Sequence, residues 1–422
     1  MRAARPRVVV LGADHPSALG IIQSLGPIGV PAVAIDTSPD ARGFVSRWVA
    51  ERHVVGPGLE DSWALLERLR PGGGLLMATD DHYLTAIARR AEALAESFVV
   101  PVPGWDVMGP LLRRPRQLEL AREAGLRVPR YWTFADAREM DAALAGLDPQ
   151  RQYLVCRDDF TRPCVIDATW GLSVKVSGPG IAAIRGDCHD VLARTGQLPV
   201  VTEIVPGASE DAVGVVALVD RSHDLVLAYC QRRRPLRTVR TADAFVHPYS
   251  VGWAARCEST HDPEAEEAAR ALVRQARYHG VALVEFRRDA RDGRLVFVKL
   301  DMRVDRAIAL SAVLGRDIVR ATWELFALGT RPAAPARFAE GVSWLWLSRY
   351  LTDLARNRTR VAIGRELVDL AASVRRTRAV AYLGRGDSRP FITDLGRWAG
   401  GWTRRGGSWM GRRLGLLKPS AP

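Results

Sequence analysis

Apolar and polar positions change period along this chain, and the changes divide it. Arg7–Gly12, Pro31–Asp36 and Leu75–Thr79 are short and almost wholly apolar, which suits strands buried on both faces. Ser17–Leu25, Asp61–Leu69 and Asp81–Glu96 carry the helical period between and after them. Such alternation predicts a parallel sheet with crossover helices. A helix over Arg113–Gly125 follows, ending at a glycine with Pro129 just beyond it.

Downstream, segments 152–157, 171–176, 199–205, 212–220 and 225–231 read as strands, and Pro263–Tyr278 reads as a helix. Val281–Asp289 and Leu295–Arg303 form a strand pair across a polar turn, with helices near 305–328 after it. Pro332 and Pro335 mark a hinge, and Ser343–Ala355 and Ile363–Ser373 read as helices of an appendage. The chain therefore divides into 1–110, 111–330, 331–396 and a Gly-rich basic tail over 397–422. The expected class is α/β followed by α+β.

Composition narrows the setting. Hydrophobic residues are 47% and charged residues 25% of the 422, ordinary for a globular enzyme. Lysine supplies three of the 60 basic residues (Lys175, Lys299 and Lys418) and arginine the other 57, a bias that fits a GC-rich bacterial genome. The net charge of +13 suits anionic partners without choosing among nucleotide, nucleic acid and membrane surface. Five cysteines (156, 164, 188, 230 and 257) show no metal or disulfide spacing and read as reduced thiols. The basic start and the run Val8–Gly12 imitate a signal peptide, but the apolar stretch stops at Asp14, so a cytoplasmic location is expected.

The candidate chemistry lies on the strand pair. An acid on each of two paired strands can hold Mg²⁺, because hard cations take oxygen ligands. Glu285 stands on the first strand and Asp301 on the second, but Lys299 precedes Asp301 by two residues and faces the same side. The first turn, Gly12-Ala13-Asp14-His15-Pro16-Ser17, lacks the dinucleotide glycines, and no GxSxG, HExxH or GxxxxGK[ST] is present. His279 precedes a glycine at a helix end, where capping explains it.

The ordered series of segments resembles the bacterial carboxylate–amine ligase branch of the ATP-grasp superfamily over nearly the whole chain. Val8–Gly12 with Asp36, Ser46-Arg47 and Ala78-Thr79-Asp80 resembles its leading Rossmann-like domain, and Arg113-Arg114 through Gly125 and Val128-Pro129 resembles its linking helix. Pro199–Gly207 is similar to its adenine-side strand, and Tyr278 through Arg303 to its metal strands. Trp344-Leu345-Trp346 and Asp387-Ser388-Arg389-Pro390 look like its C-terminal appendage.

The resemblance implies ATP between two α+β halves, Mg²⁺ on Glu285 and Asp301, and an acyl-phosphate that an amine attacks. It implies phosphate-binding lysines where this chain has Arg114 and Arg157; a further lysine position falls at Leu172, with Lys175 three residues on. Glu203 is expected to accept the ribose hydroxyls or to anchor the hinge at Ile204-Val205, whose backbone would bond the adenine edge. Among Arg232, Arg233 and Arg234, Arg233 is taken as the basic residue near the transferring phosphate, and Arg303 as the arginine that follows the metal residues. Lys299 occupies the bridging carboxylate's place and reverses its charge, so Mg²⁺ is in question there.

Two functions from different classes follow. One is an ATP-dependent ligase joining a small carboxylate to an amine; the other is a non-catalytic ATP-grasp protein that binds nucleotide and serves as a regulator or partner. No specific nucleic acid is implied. Arg397–Lys418 is free of acids and carries six basic residues with Trp398, Trp402 and Trp409, a mix that can touch an anionic membrane surface.

Overall fold

The computed structural model describes residues 6–158, 174–176, 180–207, 211–234, 236, 255–333, 335, 337–356 and 363–400. Cys164, Leu172 and the tail from 401 to 422 lie outside the described residues.

Strands β1 (Val8–Leu11), β2 (Ala32–Asp36), β3 (Val49–Val54) and β4 (Leu75–Ala78) form a parallel sheet in the order β3-β2-β1-β4. Every residue of β1, β2 and β4 is buried, as their continuous apolar runs predict. Alternate side chains feed two cores. Val9, Leu11, Val33 and Ile35 join Leu65, Leu84 and Ile87 on one side, and Val8, Val10 and Ala32 join Leu19, Ile22 and Leu25 on the other. The polar edge strand β3 is absent from the sequence reading because its VAERHV carries no apolar alternation. The helix expected over 81–96 breaks at Arg90 into Asp81–Arg89 and Ala91–Ala95.

A second, four-stranded sheet has the order β5-β8-β6-β7, from β5 (Tyr131–Trp132), β6 (Tyr153–Arg157), β7 (Val174–Val176) and β8 (Pro199–Glu203). The helices Ala137–Ala145 and Ile181–Thr195 cover one face through Met140, Leu144, Ile184, Cys188 and Val191. This unit has its own small core and is called the lid below.

The third sheet has seven strands in the order β13-β12-β9-β10-β11-β14-β15. They are β9 (Ala212–Val219), β10 (Leu225–Arg233), β11 (Arg256–Thr260), β12 (Gly280–Arg288), β13 (Leu295–Asp301), β14 (Ser343–Leu345) and β15 (Thr377–Val380). All pairs are antiparallel except β14 with β15. One face packs on the helix Pro263–Gln275 through Val213, Val215, Ala217, Val284 and Phe286 against Ala265, Ala269 and Leu272. The other packs on the parallel-sheet unit through Val216, Leu218, Tyr229, Leu283 and Trp344.

The appendage corrects the sequence reading. The expected helix from Ser343 starts as strand β14 and turns helical only over Leu347–Arg356. Strand β11 is also new; four of its five residues are polar, yet all five are buried. The last described helix spans residues 389–400, past the expected boundary at 396.

At the carboxyl end of β1, Gly12 has φ +92, and a Cβ there would sit 2.1 Å from Thr79 Oγ1. That hydroxyl donates to the carbonyls of Leu11 (3.1 Å) and Gly12 (2.8 Å), so it cannot retreat without losing them. Gly12→Ala is expected to cost about 3 kcal/mol in a denaturant titration. Gly125→Ala shares the positive φ (+78) but meets nothing within 4 Å, and should cost only about 1 kcal/mol. Equal costs would overturn the packing account of Gly12.

Candidate functional site

Register across β12 and β13 fixes the centre of the site. Leu283 faces Asp301 and Glu285 faces Lys299; the register then shifts so that Phe286 faces Phe297, leaving Val298 as the extra residue of a bulge. Directly paired residues and residues two apart share a face, so Glu285, Lys299 and Asp301 stand together. Gly214 and Gln231 lie across the sheet on that face, and Arg233 two residues beyond Gln231. It is the same face that packs Leu283, Val216 and Tyr229 further along, so it is apolar for one part of its length and charged for the other.

The charged end is knitted by ion pairs. Lys299 Nζ lies 2.6 Å from Asp301 Oδ2 and 3.7 Å from Glu285 Oε2. Glu285 is also paired with Arg233. Arg303 reaches Asp81 Oδ1 at 3.5 Å and Asp301 Oδ2 at 3.8 Å, linking the sheet to the first turn of the helix Asp81–Arg89. Gln231 Nε2 donates to Asp305 Oδ2 at 2.9 Å.

Burial would raise the Asp301 carboxyl, but Lys299 and then Arg303 outweigh it and hold it well below the usual carboxylate range. Burial lowers the Lys299 ammonium against the pull of Asp301, and the neighbouring Arg233 and Arg303 push the same way. Arg306 is brought down to about 10, by burial first and then by Arg303. Burial raises Asp81, with Asp301 adding to it, while Arg303, Lys299 and Arg157 oppose. The neighbourhood is rich in cations, with Lys299, Arg233 and Arg303 all on Glu285 or Asp301.

A second wall comes from the carboxyl ends of the parallel strands, where α/β folds commonly place ligands. Burial takes His15 well below its ordinary range, helped by the charges of Arg303, Arg306 and Arg42. Burial raises Asp80, which caps the helix through the Tyr83 N–H, to about 6. The far end of the chain completes this wall. Tyr382 Oη donates to the Asp14 carbonyl (3.0 Å), Arg397 pairs with Asp14 (3.1 Å), and Arg42 bridges Asp14 (2.7 Å) and Asp394 (2.9 Å). Asp387 accepts from Ser46 Oγ (2.6 Å), Gln23 Nε2 (3.1 Å) and the Arg47 N–H (3.1 Å).

Of the residues singled out in the sequence, the structure gathers Glu285, Asp301, Arg233, Arg303 and Lys299 into this neighbourhood, while Arg157 stands on β6. Arg114 is buried at the start of its helix, beside the end of β6, where its N–H donates to the Asp158 carbonyl. Glu203, Ile204 and Val205 stand apart, at the hinge where the lid rejoins the body. On β8, Glu203 pairs with Tyr153 while Arg157 pairs with Pro199, which puts the two at opposite ends of that strand pair. The Glu203 carboxylate is 6% exposed and accepts from Arg151 and Arg291, with Arg130 at 3.8 Å. Arg291 also grips the fully buried Asp289 at 2.6 Å. Glu203, Arg130, Asp289 and Arg291 line a cleft of about 250 Å³ with Arg127, Val128 and Val205. The Ile204 N–H donates to the Gln152 carbonyl, which commits that donor. Sequence reasoning missed Arg287, buried on β12, whose guanidinium bonds the Gly207 carbonyl across the same hinge. It also missed His15, Asp81 and Arg306; the acid pair closing the strand–helix turn at Asp80-Asp81 was the one available signal.

The expected magnesium site does not fit the residues present. The Lys299 ammonium reaches both carboxylates, and Glu285 is already neutralised by Arg233. Among the described residues no group of three or more His, Cys, Asp or Glu side chains converges as a metal site. Nor is any helix among them long and apolar enough to cross a membrane.

No family model and no curated protein matches the chain. Solved structures do. N5-carboxyaminoimidazole synthetase from Staphylococcus aureus is similar at 14% identity and a TM-score of 0.59, over 83% of this chain and 85% of that one. The ADP complex of an N5-carboxyaminoimidazole ribonucleotide synthetase reaches 0.61 at 12% identity, over 85% and 86%. An L-amino acid ligase from Bacillus licheniformis reaches 0.55 at 12% identity, over 77% and 75%. The fold is that of the ATP-grasp superfamily.

Glu203→Gln, which leaves the arginines of the hinge short of one buried negative charge, is expected to cost about 2–3 kcal/mol. Arg130→Gln, removing an exposed and distant partner, should cost about 0.5 kcal/mol or less. Denaturant titrations of both variants check this, and a Glu203→Gln variant as stable as the parent would remove the hinge role.

Proposed function

We propose that this chain binds ATP between the lid and the seven-stranded sheet and uses it as a carboxylate–amine ligase does. The carrying observation is the cluster in which Lys299, Arg233 and Arg303 crowd the Glu285 and Asp301 carboxylates at one end of the sheet. Such a cluster suits the polyphosphate of a nucleotide. In support, the fold neighbours include a synthetase solved with ADP and an enzyme described as an L-amino acid ligase.

In the proposed reaction a substrate carboxylate oxygen attacks the γ-phosphorus of ATP, the bond to the bridging oxygen breaks, and ADP leaves with its electron pair. The amine then attacks the carbonyl carbon of the acyl-phosphate; inorganic phosphate departs and the nitrogen loses a proton. Arg303 and Arg233 stabilise negative charge on the transferring phosphoryl group, Arg157 and Arg114 hold phosphates, and the Ile204-Val205 hinge bounds the adenine. In this reading residues 111–330 supply both sides of the nucleotide cleft, and 1–110 with 331–396 build the wall beside it.

Lys299 favours a second reading, a nucleotide-binding protein without turnover, because its ammonium pairs with both Glu285 and Asp301, the carboxylates on which a divalent ion would act. The two separate in one assay. ATP is mixed with panels of small carboxylates and amines, and ADP and phosphate release are followed. A ligase shows release that needs both co-substrates and falls about 100-fold or more in Arg303→Ala. ATP binding with no release under any pairing overturns the ligase reading in favour of the second.

A further inference from the structure

We propose that the Lys299 ammonium stands in for a divalent cation, so that this cleft takes the polyphosphate of a nucleoside di- or triphosphate without metal. The inference rests on the nucleotide reading above and concerns how that same site balances charge. A site that uses a divalent ion presents two carboxylates to it, and the ion returns two positive charges toward the phosphates. Here Glu285 and Asp301 supply the carboxylates, on paired strands and on one face. The two positive charges are already present as side chains: Arg233 on Glu285, and Lys299 at 2.6 Å from Asp301 and 3.7 Å from Glu285. A divalent ion would have to enter this space against Lys299, Arg233 and Arg303, which a partly desolvated cleft makes costly.

The arrangement is more than a structural ion pair. Lys299 and Asp301 keep 28% and 19% of their side-chain surface exposed, so the pair opens on the cleft instead of closing inside the core. Arg303 lies 3.8 Å from the same Asp301 oxygen, so two cations crowd one carboxylate. An ammonium offers three donors and demands no octahedral shell, so it can bond phosphate oxygens while still held by its carboxylates.

The test is calorimetric titration of the full chain with ADP and with ATP, once in EDTA and once in excess magnesium chloride. Expected affinities agree within about 3-fold between the two conditions. Lys299→Met should lose about 10-fold or more of the affinity measured in EDTA. Lys299→Glu should bind only when magnesium is present, because it restores an acid facing Glu285. Melting curves of both variants establish that they fold; if neither does, the comparison in the parent chain still decides. A parent that binds ADP or ATP about 10-fold or more tightly with magnesium overturns the inference and leaves the nucleotide reading standing. No binding of either nucleotide in either condition removes the nucleotide reading, and the inference with it.

Discussion

Burial of the seven-stranded sheet on both faces is the constraint on which the site depends. Val213, Val215, Val284 and Phe286 belong to one core and Val216, Leu218, Tyr229 and Leu283 to the other. A slip of one residue in β9, β10 or β12 would exchange the two sets, so the register cannot drift. With register held, Glu285, Lys299, Asp301 and Arg233 have no choice of face. Their charges are placed before any ligand arrives, which is what makes fixed charges effective.

Much of this was legible from the chain. The parallel sheet followed from apolar runs too short for helices and the helical stretches between them. The shared face of Lys299 and Asp301 followed from their spacing alone. What stands opposite them did not, because a bulge at Val298 sets the pairing with Glu285, and no local pattern announces it. Strand β11 escaped notice because Arg256, Glu258, Ser259 and Thr260 look exposed; they are buried by partners such as Arg234, 2.6 Å from Glu258. The run Trp344-Leu345-Trp346 suits either a strand or a helix start, and only the neighbouring β11 and β15 decide it. Arg306 and His15 meet the site through loops far apart in sequence, beyond the reach of periodicity.

The lid and the cationic cluster share one hairpin. Its strands carry Glu285, Lys299 and Asp301, while its turn carries Asp289 and Arg291, which reach the lid through Glu203. Backbone bonds reinforce the link, from Phe297 N to the Arg127 carbonyl and from Ala290 N to the Pro206 carbonyl. Both chain crossings between lid and body are therefore pinned to the hairpin that holds the charges. The Arg157 end is tied to the body separately, through the Arg114 N–H on the Asp158 carbonyl.

The wall built by Tyr382, Asp387, Asp394 and Arg397 gives the chain a timetable. Their partners Asp14, Gln23, Arg42 and Ser46 lie in the first 46 residues, more than 330 positions earlier. On the ribosome the parallel sheet can form as soon as β4 emerges, yet Asp14 and Arg42 then have only each other, without Tyr382, Asp394 and Arg397. The crevice is finished only when the last helix is released. An incomplete chain, however well its first domain has folded, carries only one side of this wall.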